Sequence, residues 1–101
     1  MATNRMRPIH PGEILREEYL VPLNMSPHAL AIGLRAPASR INDIVRERRA
    51  VTPDTALRLA RCFGTTAQFW LNLQSSFDLK RAEIESGEQI DREVRPLEMG
   101  A

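Results

Sequence analysis

The stretch "SPHALAIGLRAPASRINDIVRERR", residues 26–49, constrains the fold of this chain more than any other. Ser26 is a good N-cap, and Pro27 fits the first helical position, where its missing N–H costs nothing. Leu30 and Ala31 face inward, and Gly33 lies where this short helix should stop. After a turn of about four residues, Ile41, Ile44 and Val45 recur at helical spacing and predict a further helix over roughly Ala38 to Arg48. Two helices joined this tightly cross at a steep angle. Leu30, Leu34, Ile41 and Val45 are spaced to fill that angle, and Gly33 is expected where the helix ends crowd each other. The opposite side of the second helix is thereby pushed out of the domain.

The remainder of the chain is punctuated in the same way, while strand signals are weak throughout. "HPGEILREEYLVPL" starts with Pro11 and Gly12 and carries Glu13 in its first turn. It is predicted to end near Leu20, because Pro22 blocks continuation. Ile14, Leu15, Tyr19 and Leu20 form its expected buried stripe. "VTPDTALRLARCFG" repeats the start signal: Thr52 caps, Pro53 opens, and Asp54 complements the helix dipole. Ala56, Leu57, Ala60 and Phe63 make its stripe, and Gly64 ends it. "TTAQFWLNLQSSFDLKRAEIESG" restarts with Thr66 as cap and has Phe69, Trp70, Leu73 and Phe77 as its apolar face. After Gly87, "EQIDREVRPLEMGA" is rich in charge and short of core residues. Short helix, partner-binding arm and disorder all fit it. The reading is an all-α chain: a five-helix domain over residues 1–86 and a charged tail over 87–101.

A hydrophobic fraction of 43% suffices for one core. The net charge of +1 argues for no particular partner, so local charge must carry that argument. The single cysteine, Cys62, cannot form an intrachain disulfide, and a cytoplasmic, reducing compartment is expected. Beside Phe63 it reads as a buried, inert thiol. No secretory signal or membrane-spanning run is apparent. His10 and Glu13 fall short of a metal shell, since His28 is the only other histidine. His10 is expected to contact the start of the first helix. Nothing supplies a nucleophile with its base, paired carboxylates or a phosphate-binding glycine loop. An enzyme is therefore only a formal alternative, and no cofactor or metal is expected.

The outward side of the arginine-bearing helix suits DNA. Arg40 and Arg46 can pair with guanine edges or phosphates, Asn42 with adenine, and Ser39 with base or backbone. Arg48 and Arg49, just past the helix, are placed to hold phosphates. The first N–H groups after Thr52 could receive another phosphate. A solvated amphipathic helix is the bland alternative. The preceding helix and the tight turn favour a helix-turn-helix entering the major groove.

From His10 to about Leu79 the chain resembles the HigA-type antitoxins, VapI-like members of the Xre/Cro-like helix-turn-helix family. "HPGEIL", "RRAVTPDTALRLARCFG" and "FWLNLQ", in this order, carry the resemblance. It implies a five-helix, DNA-binding homodimer that neutralises a small HigB/RelE-type ribonuclease toxin and represses its own operon at a palindromic operator. Carried over by position, the DNA-reading residues are Ala38, Ser39, Arg40, Asn42, Asp43 and Arg46. The sequence departs from the family at Arg35, Ala36 and Pro37, where Gly-Val-Ser or a similar run is common. Pro37 offers no capping oxygen, so the first residue of the recognition helix is open. One such helix reads too few base pairs to find a promoter, so pairing is expected. Phe69, Leu73 and Phe77 are its expected contact. A ribonuclease presents basic surface, so acidic groups are expected to bind it. Glu13, Glu17 and Glu18 on the first helix are favoured over Glu83, Glu85, Glu88, Asp91 and Glu93. A stand-alone transcriptional regulator with no toxin is the other reading.

Overall fold

The fold is that of a computed structural model describing residues 7–98. Among the described residues there are five helices and no strand. The first, α1, runs through three geometries: α-helical Pro11–Ile14, a wide π-type stretch Leu15–Leu20, and α-helical Val21–Leu23. His10 starts it, its Nδ1 accepting the Gly12 N–H at 2.8 Å. The expected stop near Leu20 is wrong. The Val21 N–H reaches back to the Arg16 carbonyl, and this widened turn leaves room for the Pro22 ring within the helix. Asn24, left-handed at φ 52°, ends it instead.

Helix α2 spans Pro27–Leu34, with the Ser26 hydroxyl accepting the Ala29 N–H at 3.0 Å. It runs past Gly33, and Arg35, left-handed at φ 56°, closes it. A Cβ on Gly33 would meet nothing within 4 Å, so no crowding of helix ends requires glycine there. Helix α3 spans Ala38–Val45, shorter than the predicted stretch to Arg48. Its end is closed by the Glu47 N–H to the Ile44 carbonyl at 2.9 Å and the Arg48 N–H to the Asp43 carbonyl at 2.7 Å.

Helix α4 spans Pro53–Phe63, capped by Thr52 and ended by Gly64 at φ 73°, as the sequence signals require. Its buried side is Thr55, Ala56 and Leu59. Leu57, expected in the stripe, is 64% exposed. Cys62 is exposed as well, not buried. With Ala56 and Leu59 inward, a turn of about 100° per residue carries Leu57 off the packed face, whereas Cys62 lies in line with the buried Thr55 but two turns on, near the end of the helix.

Helix α5 spans Ala67–Glu93, with Thr66 accepting the Phe69 N–H at 3.0 Å. It continues through Gly87, so the beginning of the charged tail is helical, while residues 94–98 are not. At about 1.5 Å per residue it is some 40 Å long and accounts for most of the molecule's 54 Å length.

All five helices contribute to one core, from Leu15 and Leu20 through Leu30, Leu34, Ile41, Ile44 and Leu59 to Trp70. Trp70 is fully buried, with its indole N–H on the Thr65 hydroxyl at 2.8 Å and the Tyr19 and Phe63 rings against it. A buried glutamine, Gln74, ties the loop before α4 to α5. Its Oε1 accepts the Val51 N–H at 2.8 Å, and its Nε2 donates to Asp78 at 3.0 Å.

Candidate nucleic-acid interface

Helices α2 and α3 are joined by Arg35, Ala36 and Pro37. The left-handed Arg35 lets the Ala36 N–H reach the Ala31 carbonyl at 3.1 Å, which turns the chain sharply. Pro37 stands at the N-cap of α3 without a side-chain bond, but its carbonyl accepts from Arg40 and Ile41. Helix α3, the candidate recognition helix, thus begins at Ala38. Ile41, Ile44 and Val45 are buried beneath it.

At about 100° per residue, Ser39, Asn42, Asp43 and Arg46 share the opposite face, with Arg40 at its margin, while Ala38 falls beside Val45 and packs partly against the core. Ser39 and Arg46 are exposed; Ala38, Arg40, Asn42 and Asp43 are half-buried. Several of these polar groups already have partners. Arg40 donates to Asp54 Oδ2 at 2.9 Å, and Asn42 Nδ2 to the Ala38 carbonyl at 3.1 Å. Asp43 lies 3.7 Å from the Arg49 guanidinium. Arg48 and Arg49 are exposed beyond the helix.

Residues distant in sequence hold this unit in place. Arg58 on α4 donates to the Leu34 carbonyl at 2.9 Å and the Arg35 carbonyl at 3.3 Å, fastening the turn. It also pairs with Asp54 at 2.9 Å. Arg58 first, and then Arg40, hold the Asp54 carboxyl below the usual range. At the other end of α3, Arg16 on α1 donates to the Val45 carbonyl at 2.6 Å and reaches Glu47 at 3.4 Å. Gly12 packs so closely that a Cβ would stand 2.9 Å from the Ile44 carbonyl carbon. Neither Arg16 nor Arg58 stood out in the sequence. Their partners are 29 and 24 residues away, a separation at which helical periodicity carries no signal.

The expected dimer residues lie along α5. Phe69 is 37% exposed and meets Trp70 edge-on; Leu73 and Phe77 are half-buried. Phe77 rests against the His10 ring at 4.8 Å, and the Arg81 guanidinium sits 5.6 Å above it. The acidic residues of α1 differ from one another. Glu13 is half-buried and bound by both terminal nitrogens of Arg7 at 2.8 Å, which holds its carboxyl below the usual range. Glu17 and Glu18 are exposed, with Glu17 paired to Arg16 at 2.9 Å. No helix of the described residues is long and apolar enough to cross a membrane.

The arrangement of α2, turn and α3 recurs in solved structures. The antitoxin HigA of Pseudomonas aeruginosa, solved with the higBA promoter, superposes with a TM-score of 0.89 at 53% identity, over 91% of this chain and 100% of that one. The chain belongs to the HigA family of helix-turn-helix antitoxins. A second structure, antitoxin GraA in complex with its operator, gives a TM-score of 0.89 at 49% identity over 97% and 99% of the two chains. Virulence-associated protein I of Dichelobacter nodosus is 64% identical over 80 residues, covering 79% of this chain and 74% of its own length. No protein-family model matches the chain. HigA membership agrees with the resemblance carried by "HPGEIL", "RRAVTPDTALRLARCFG" and "FWLNLQ". All three segments lie at structural junctions: the α1–α3 contact, the capped start of α4, and Trp70 in the core.

Proposed function

We propose that this chain is the antitoxin of a toxin–antitoxin pair. It represses its own operon by binding a palindromic operator as a homodimer, and it neutralises a HigB/RelE-type ribonuclease. The observation that carries the DNA reading is the outward face of α3, where Ser39, Asn42, Asp43 and Arg46 project opposite a fully buried Ile41 and Ile44. The promoter-bound HigA relative supports the same reading. Ser39, Arg40, Asn42 and Arg46 read base edges, with Asp43 on the same surface and Ala38 at the first turn of the helix, and Arg48 and Arg49 hold phosphates. Arg40 must exchange Asp54 for DNA to do so. Replacing Asn42 or Arg46 by alanine should cost about 1–3 kcal/mol of operator binding and relax base preference. If both variants bind the operator like wild type, α3 is not the reading helix.

The dimer contact is placed on α5, with Leu73 and Phe77 as anchors and Phe69 beside them. Past Phe77 the helix leaves the domain, and Ile84, on the same side as Leu73 and Phe77, remains 69% exposed, an apolar continuation that a second copy would cover. A monomer by light scattering at micromolar concentration would count against it.

The toxin surface is placed on Glu17 and Glu18 of α1, with Glu13 beside them. Their acidic charge complements a surface made for RNA, and α1 is ordered before binding, so little conformational entropy is lost. Co-expression with the neighbouring toxin tests this with wild type, Glu17→Lys/Glu18→Lys, and a truncation after Gly87. Loss of rescue in the truncation but not in the charge reversal would move the surface to the tail. Failure of wild type to rescue would leave a stand-alone regulator as the better reading.

A further inference from the structure

We propose that Arg16 of α1 is a positioning residue for the DNA grip. It clamps the turn that leaves α3 and so fixes the direction in which Arg46, Arg48 and Arg49 depart. The proposal rests on the reading of α3 as the DNA-binding helix.

The clue is Glu47, which is left-handed at φ 64°. The amide bonds of Glu47 and Arg48 to Ile44 and Asp43 form a complete left-handed helix ending, and glycine is the residue that such an ending favours. A glutamate is strained there, because its Cβ crowds the backbone. What glutamate offers and glycine lacks is a carboxylate, and that carboxylate lies 3.4 Å from Arg16 Nη2. Nη1 of the same guanidinium takes the Val45 carbonyl at 2.6 Å, and Nε is held by Glu17 at 2.9 Å. One planar fork therefore spans the last carbonyl of α3 and the side chain of the turn residue, a geometry that lysine cannot reproduce. The close seat of Gly12 under Ile44 brings α1 near enough for this reach. An ion pair as exposed as this one adds little to stability. Its effect is on direction: the turn it holds lies between Arg46 and Arg48.

The test uses the full chain as wild type, Glu47→Gly, Glu47→Gln and Arg16→Lys. Each is measured for thermal midpoint and for affinity to an operator duplex across a salt series. Glu47→Gly relieves the left-handed strain, so its midpoint should equal or exceed that of wild type. Its operator affinity should nevertheless fall about threefold or more, with a shallower salt dependence. Glu47→Gln loses the same charge but keeps an acceptor for Arg16, so it should bind more tightly than Glu47→Gly. Arg16→Lys should also weaken binding although the charge is kept. If the residues were only structural, affinity would follow the midpoint. Glu47→Gly binding at least as tightly as Glu47→Gln, or Arg16→Lys binding like wild type, overturns the proposal. Wild type that shows no preference for the operator removes the DNA reading and this role together. Wild type that prefers it while every variant matches it removes this role alone.

Discussion

Gly12→Ala is a one-carbon change whose effect follows from where α1 crosses α3. The new Cβ would stand inside the van der Waals envelope of the Ile44 carbonyl oxygen and 3.0 Å from His10 Nδ1. Neither obstacle is a flexible chain end. The first is α3 backbone, and the second is the ring that caps α1. Alanine favours a helix over glycine by about 1 kcal/mol, and near the first turn by less. Against this, α1 must withdraw from α3, loosening the packing of the fully buried Leu15 and the reach of Arg16 to Val45. Overpacking against a rigid neighbour costs about 1–3 kcal/mol or more, so a net loss of about 2 kcal/mol is expected. For a domain of this size that lowers the thermal midpoint by roughly 8–16 °C. Melting followed by circular dichroism reads it directly. Operator affinity measured well below the midpoint should fall as well, because the exit of α3 shifts. A midpoint within about 2 °C of wild type would refute the close approach of the two helices.

Three other outcomes are expected. Gln74→Leu leaves the buried Val51 N–H without its acceptor and should cost about 1–3 kcal/mol in urea unfolding; a neutral effect would mean that another group takes that bond. His10 is buried, and burial pushes its pKa below the ordinary value. The unfolded chain therefore takes up the proton first, so stability present above the ordinary histidine range is lost as pH falls through it and on through the folded value. Unfolding free energy should decline as pH is lowered from 7.5 towards about 5.5, and His10→Asn, which can still cap α1, should flatten that decline. Arg48→Ala and Arg49→Ala should each weaken binding to every duplex alike and reduce the salt slope by about one; loss confined to the operator would instead mark a base contact.

Much of this architecture was legible because the relevant signals are local. Ser26, Thr52 and Thr66 cap the helices their positions announce, Gly64 ends α4, and Ile41, Ile44 and Val45 are buried at the expected spacing. The errors arose where a local rule met tertiary geometry. Pro22 is accommodated by a widened turn, which no residue type announces. Leu57 is an apolar type on a helix whose packed face is set by Thr55, Ala56 and Leu59, and Cys62 is one in its last turn. The outward face of α3 could be read from periodicity, but its internal pairing could not. Asp54 reaches Arg40 from 14 residues away, and Arg16 reaches Val45 from 29. Left-handed Arg35 and Glu47 were equally hidden, since neither is the glycine or asparagine that normally signals such a backbone.

The central claim is that the outward face of α3 reads base sequence. The most direct measurement is fluorescence anisotropy of wild-type protein with a duplex from the promoter of its own operon, set against a scrambled duplex of equal length and composition at one salt concentration. The account predicts that the promoter duplex is bound tighter by about 10³-fold or more, in the range of specific regulators. Equal affinity for the two duplexes would contradict it, reducing the arginines of α3 and its exit turn to a charged, solvated surface.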